Sequence, residues 1–224
     1  MDLKVAVVCA ETFYGKEEYK NAERALRYLE EAASLGARLV CFPKDYPGPC
    51  HGSIDFGGCL PFHPLEALQE RARQYRVYVC AGDLEVDPEG AGSYFLSLNL
   101  ISPQGEILCN YRSVQLEHSE LNSLQLAGRK RIKPGDGIAV VETELVRIGL
   151  QICSELFVPE ISRVQMLRGA DIIPAPAGGF WRPTQLRLGK TWRGIAHARG
   201  SENLFFVVVP HRFFWLVARC STPR

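Results

Sequence analysis

Apolar residues along this chain recur at two alternating periods. Leu3 to Cys9 (LKVAVVC) is a continuous apolar run, the pattern of a strand buried on both faces. From Lys16 to Leu35, residues Ala22, Ala25, Leu26, Leu29 and Ala33 form a helical stripe that Gly36 closes, and Ala37 to Phe42 predicts another strand. The segment from Pro43 to Leu60 is rich in proline and glycine and reads as a loop at a strand's carboxyl end, where open α/β sheets place ligands. Pro64 to Tyr75 predicts a helix and Val77 to Gly82 a strand. Tyr94 to Ile101 and Glu106 to Tyr111, joined by Ser102-Pro103-Gln104-Gly105, predict a β-hairpin.

From Ser113 to Gly137 the chain is polar and turn-rich, and its basic cluster Arg129-Lys130-Arg131 reads as a solvated loop. Ile138 to Glu142 is expected to pair with Val146 to Ile152 across Thr143-Glu144. Val158 to Leu167 has apolar residues at helical spacing, Gly169-Ala170 ends that helix, and Asp171 to Pro174 starts a strand. Thr184 to Arg199 predicts a helix leading through Gly200 into Asn203 to Pro210 (NLFFVVVP), read as a buried strand. Strands alternating with helices, plus hairpins, imply one α/β domain in which helices cover a sheet and a second sheet packs behind it.

In this order Cys153 falls at a strand-to-helix junction. A side chain there leaves a buried strand and faces a crevice, while nearby N–H groups can meet a developing negative charge. The competing reading is that Cys153 is one more small hydrophobe of the interior. Composition narrows the rest. The 224 residues, 46% hydrophobic and 23% charged, suit one large domain spanning 1–224. A net charge of +1 gives no field for nucleic acid. No apolar run reaches about 18 residues, and Met1-Asp2-Leu3-Lys4 leads straight into a strand, so neither a membrane span nor a signal peptide is expected. Eight cysteines without a CxxC pair indicate a reducing, cytoplasmic setting, with Cys50 and Cys59, either side of a glycine-rich loop, the one pair left open to bridging. His51, His63 and His118 lack metal-ligand spacing and no glycine-rich phosphate loop is present, so no metal or cofactor is expected.

The ordered pieces Lys4-Val5-Ala6-Val7-Val8, Leu39-Val40-Cys41-Phe42-Pro43, Asn110-Tyr111-Arg112, Ile148 to Cys153, Phe157-Val158-Pro159-Glu160 with Arg163, Arg168 to Ile173, and Ala198-Arg199 with Glu202-Asn203 resemble the nitrilase, or carbon-nitrogen hydrolase, superfamily. The resemblance implies a four-layer α-β-β-α sandwich whose protomers pair as a homodimer or larger homo-oligomer. It also implies hydrolysis of a small amide or nitrile through a cysteine thioester. The family uses a glutamate, a lysine and a cysteine, with a second glutamate supporting the lysine. Cys153 and Glu120 fall in matching places, whereas Lys44 stands where the family has its glutamate and Ser113 where it has its lysine.

A free thiol with a pKa of about 8.5 needs a base or a cation to act at neutral pH. The residues left suggest a rearranged site in which Lys44 favours the Cys153 thiolate and Glu120 moves protons, with Asp45 and Glu155 as further candidates for the base. The alternatives are a silent nitrilase-like binding or assembly module and an unrelated α/β protein with a redox-sensing cysteine. Substrate choice is expected in the loops 46–62 and 178–188, where Phe180 and Trp181 can wall an apolar pocket. Relatives continue past the last strand with a Gly-x-Ser segment, further strands and a terminal arm. This chain reaches Arg224 without them, and Phe213 to Val217 fits either a short replacement strand or an altered end.

Overall fold

Alternation along each strand sorts its side chains into two sets, and helices cover only one set of each sheet. The computed structural model describes residues 3–13, 17–48, 64–90, 93–116, 131–178 and 188–213, with the side chains of residues 131, 188–190, 212 and 213 left aside. The first part of the chain supplies β1 (Val5–Val7), β2 (Ala10–Glu11), α1 (Tyr19–Ser34), β3 (Leu39–Cys41), α2 (Pro64–Tyr75), β4 (Tyr78–Val86), β5 (Ser93–Ile101), β6 (Ile107–Arg112) and β7 (Arg131–Lys133). The second part supplies β8 (Ala139–Glu142), β9 (Arg147–Leu150), α3 (Pro159–Leu167), β10 (Ile172–Pro174), α4 (Leu188–Asn203), β11 (Phe206–Val208) and β12 (Arg212–Phe213).

One sheet runs β1-β3-β4-β5-β6, with β7 joining β5 beyond the end of β6, and the other runs β11-β10-β9-β8. Strands β1, β3 and β4 are parallel and β4-β5-β6 antiparallel, so β3 and β6 point the same way and their carboxyl ends share an edge. The β12 and β2 segments pair separately.

The core follows the alternation. Leu39, Cys41, Tyr78, Cys80, Leu96, Leu98 and Leu100 face Ile148, Leu150, Ile152 and Ile172 between the two sheets. On the first sheet's other face, Val40, Phe42, Val79, Ala81 and Ile101 pack against Ala25 and Leu29 of α1 and Leu68 and Ala72 of α2. Beyond the second sheet, Ile173 and Ala175 meet Met166 of α3 and Trp192, Ile195 and Ala196 of α4. The layers are therefore α-β-β-α, as expected. Among the described residues no helix is long and apolar enough to cross a membrane.

The structure departs from the sequence expectations in four places. The first strand is not buried on both faces: β1 lies at the sheet edge, and Val7 is 47% exposed. The polar segment from Ser113 to Gly137 is not all loop, because Arg131–Lys133 pairs in parallel with Ser93–Phe95. The last helix runs on to Asn203 with Gly200 inside it. Only Phe206–Val208 of the NLFFVVVP run is strand, and Phe206 is 77% exposed on the outer strand of its sheet.

Candidate active site

Strand β9 delivers Cys153 to its position. Ile152 is still extended, at φ −124 and ψ 118, and Cys153 then turns to φ 52 and opens a 3₁₀ turn, Cys153–Phe157, that runs into α3 at Pro159. A non-glycine residue with positive φ persists only where its surroundings fix it. The fixing contacts are visible. The Cys153 N–H donates to the Pro176 carbonyl at 2.9 Å. Gln151 Nε2 donates to Ser162 Oγ at 2.9 Å and to Gln165 Oε1 at 2.8 Å, and Gln165 Nε2 donates to the Leu150 carbonyl at 2.7 Å, binding α3 to β9. Gly149 permits that approach, since a Cβ there would strike Ile173 Cδ1 and Gln165. Cys153 is 9% exposed, at the rim of the cluster between the sheets.

Two residues on, Glu155 is wholly buried. Its Oε2 accepts the Ile152 N–H at 2.6 Å. Its Oε1 accepts from Tyr111 Oη at 2.8 Å, Ser113 Oγ at 3.1 Å, the Val114 N–H at 2.8 Å and the Gln115 N–H at 3.2 Å. All four of those donors lie at the end of β6, on the other sheet. Burial pushes the Glu155 carboxyl above its ordinary range, against the Ile152, Tyr111, Gln115 and Val114 donors that pull it down. The Tyr111 phenol is driven far up by its own burial and by the neighbouring Glu155 charge.

Lys44 and Asp45 follow β3 and are 6% and 2% exposed. Asp45 takes φ 52, and the backbone of this loop lies directly on Gly82, where a Cβ would come within 2.5 Å of Asp45 N and 3.2 Å of Lys44 C. The Pro47↔Gly82 bridge continues across the sheet through Gly82↔Leu98 and Leu98↔Tyr111. The Lys44 loop thus sits level with Tyr111, three strand spacings or roughly 14 Å across the same edge.

Of the residues expected from sequence, the structure brings Ser113 to the Cys153 turn through Glu155 and sets Lys44 and Asp45 on the same edge. Glu120 lies outside the described residues, as do Cys50, Cys59, Phe180, Trp181, His51, His63 and His118. Sequence reasoning weighed Glu155 only as a base and passed over Tyr111 as its partner, because the donors stand about forty residues away in the chain. Among the described residues no group of three or more His, Cys, Asp or Glu side chains is placed to hold a metal ion. A groove of about 480 Å³ lined by Arg38, Arg73, Arg76, Pro103, Gln104 and Glu144 lies at the amino ends of β3 and β4, away from Cys153.

Comparison with known proteins agrees with this architecture. Residues 4–217 match the carbon-nitrogen hydrolase family. The omega-amidase of Homo sapiens is 25% identical over 191 residues, covering 84% of this chain and 67% of that protein. Nitrilase homolog 2 of Dictyostelium discoideum is 22% identical, covering 86% of this chain and 58% of that protein. Among solved structures, an amidase of Nesterenkonia from the nitrilase superfamily superposes with a TM-score of 0.74 at 18% identity, covering 94% of this chain and 76% of that one. In another structure of that amidase, the acetamide moiety of fluoroacetamide is added covalently at the active-site cysteine.

Proposed function

The chain belongs to the carbon-nitrogen hydrolase family, and on that premise we propose that it hydrolyses the C–N bond of a small amide with Cys153 as the nucleophile. The observation that carries this reading is Cys153 at φ 52 beyond the end of β9, joined through Glu155 to the sheet edge that also bears Lys44. The amidases among its relatives favour an amide over a nitrile.

The thiolate of Cys153 adds to the amide carbon, forming a C–S bond as the carbonyl electron pair moves onto oxygen. Collapse breaks the C–N bond, the nitrogen takes up a proton and departs as ammonia, and a thioester remains. Water then adds to the thioester, releasing the carboxylic acid and restoring the thiol. Lys44 is the cation that favours the thiolate, and Glu120 carries the protons, with Asp45, beside Lys44, as a further candidate for the base. The exposed Leu204 and Phe206 beside the outer strand β11 give a second copy an apolar edge to cover, which supports a homo-oligomer.

Ammonia release from butyramide, and a fluoroacetamide adduct located by peptide mass spectrometry, test the reading against Cys153→Ala. Turnover and an adduct, both lost in Cys153→Ala, are expected; neither in the wild type rejects it. A second reading, a silent nitrilase-like assembly module, is favoured by one observation: Ser113 offers Glu155 a hydroxyl in the place where relatives have a lysine. Assembly into a homo-oligomer without turnover or adduct is its signature.

A further inference from the structure

The Glu155 side chain does two separable things. Its bond to the Ile152 N–H is a local cap, three residues back along the same turn. Its four bonds to Tyr111, Ser113, Val114 and Gln115 cross from one sheet to the other. A cap alone needs one oxygen facing its own turn. The second oxygen instead gathers donors from a short run of chain about forty positions away, and Ser113 Oγ lies nearer to it than to the Gln115 carbonyl, at 3.1 Å against 3.4 Å. Of the five donors to the carboxylate, those of Ile152, Val114 and Gln115 are backbone amides, so their directions cannot adapt. The donors that reach Glu155 among the described residues are three backbone amides and two hydroxyls, all neutral.

We propose that Glu155 is a positioning residue, whose carboxylate clamps the turn carrying Cys153 to the end of β6, and that the Cys153 thiol owes its reactivity to that clamp. The proposal rests on the reading of Cys153 as the reacting thiol. Strain at φ 52 is the reason the clamp matters: a left-handed cysteine relaxes unless both sides of its turn are held. Glutamine cannot replace the carboxylate, because one of its ends is an NH2 that must face either the Ile152 amide or the amides of Val114 and Gln115. Aspartate keeps the charge and still reaches the Ile152 N–H, but stops a methylene short of β6.

The test is iodoacetamide alkylation of the intact protein across pH, read peptide by peptide, with the exposed Cys9 as internal reference. In the wild type Cys153 follows a pH profile distinct from that of Cys9. In Glu155→Gln and in Glu155→Asp alike, the Cys153 profile moves onto that of Cys9. The rate ratio of the two thiols then changes about tenfold at neutral pH, as it does when a thiol's titration midpoint moves by about one pH unit. A wild-type profile retained in Glu155→Asp shows that the local cap suffices and overturns the proposal, and so does a profile that Glu155→Gln leaves in place. Should Glu155→Gln fail to fold, Tyr111→Phe combined with Ser113→Ala removes the two hydroxyl donors and keeps the carboxylate; the same movement supports the clamp and its absence overturns it. Absence of ammonia release and of a fluoroacetamide adduct in the wild type counts against the hydrolase reading instead, so the two failures are distinct.

Discussion

Glu155 and Glu85 both hold the end of β6, from opposite faces and with opposite partners. Tyr111 points between the sheets to Glu155, and its neighbour Arg112 points the other way to Glu85, which also accepts from Ser97 Oγ at 2.7 Å and Asn110 Nδ2 at 3.1 Å. Burial works to raise both carboxyls. At Glu85 the Arg112 guanidinium, with Ser97 and Asn110, outweighs it and brings the carboxyl below its ordinary range. At Glu155 the donors seen among the described residues are all neutral, and the carboxyl stays above its own. The two sites show what a cation supplies that neutral donors do not: a full set of hydrogen bonds can fix geometry without offsetting the desolvation of a charge.

The largest separation between the two should appear on deletion. Glu155→Ala leaves five donors without their acceptor, three of them buried, and is expected to cost about 3–5 kcal/mol in a denaturant titration. Glu85→Ala leaves a half-exposed arginine that water can serve, and about 1 kcal/mol is expected. Equal losses would show that the comparison is one of geometry alone.

The pH dependence should run in opposite directions. The folded Glu155 carboxyl lies above its unfolded value, so its contribution to stability is whole below about pH 4.3 and is lost as pH rises through the folded value. The folded Glu85 carboxyl lies below its unfolded value, so its contribution is whole above about pH 4.3 and is lost as pH falls through the folded value. Measured from acid to neutral pH, the cost of Glu155→Gln should shrink as pH rises while that of Glu85→Gln grows. Each changes by about 1.4 kcal/mol for every pH unit that separates the folded titration from the unfolded one. Parallel curves would remove the distinction.

Local periodicity carried much of this architecture. The Pro64–Tyr75 helix, the hairpin β5-β6, the β8-β9 pair and the β-Cys-α-β unit each depend on residues close in sequence, where apolar spacing and turn residues agree. What was not legible depended on distant partners. An apolar run reads as buried whether its strand is central or outermost, so the burial of β1 and β11 was overestimated. Strand β7 lies in a polar stretch and is a strand because it pairs with β5, while Lys133 reaches Asp87 at 2.5 Å. Glu155 shows the same limit at the site: its place two residues after Cys153 suggested a base, and only the fold reveals Tyr111 to Gln115 gathered on it.

The smallest test isolates the cation at Glu85 without deleting it. Arg112 binds Glu85 through Nε at 3.0 Å and Nη2 at 2.6 Å and lies over the Phe95 ring, 4.0 Å from its centroid. Lysine keeps the charge but offers a single point of contact in place of the two-pronged planar one, so Arg112→Lys should cost about 0.5–1 kcal/mol. The side chains of Arg112 and Glu85 are 35% and 22% exposed, so raised salt should screen the pair and shrink the difference from wild type. The deficit of Glu155→Ala should hold across the same salt series, because the amides and hydroxyls it strands carry no net charge. If salt erases both deficits alike, Glu155 answers to a cation after all, and the contrast between the two carboxylates rests on exposure rather than on the chemistry of their donors.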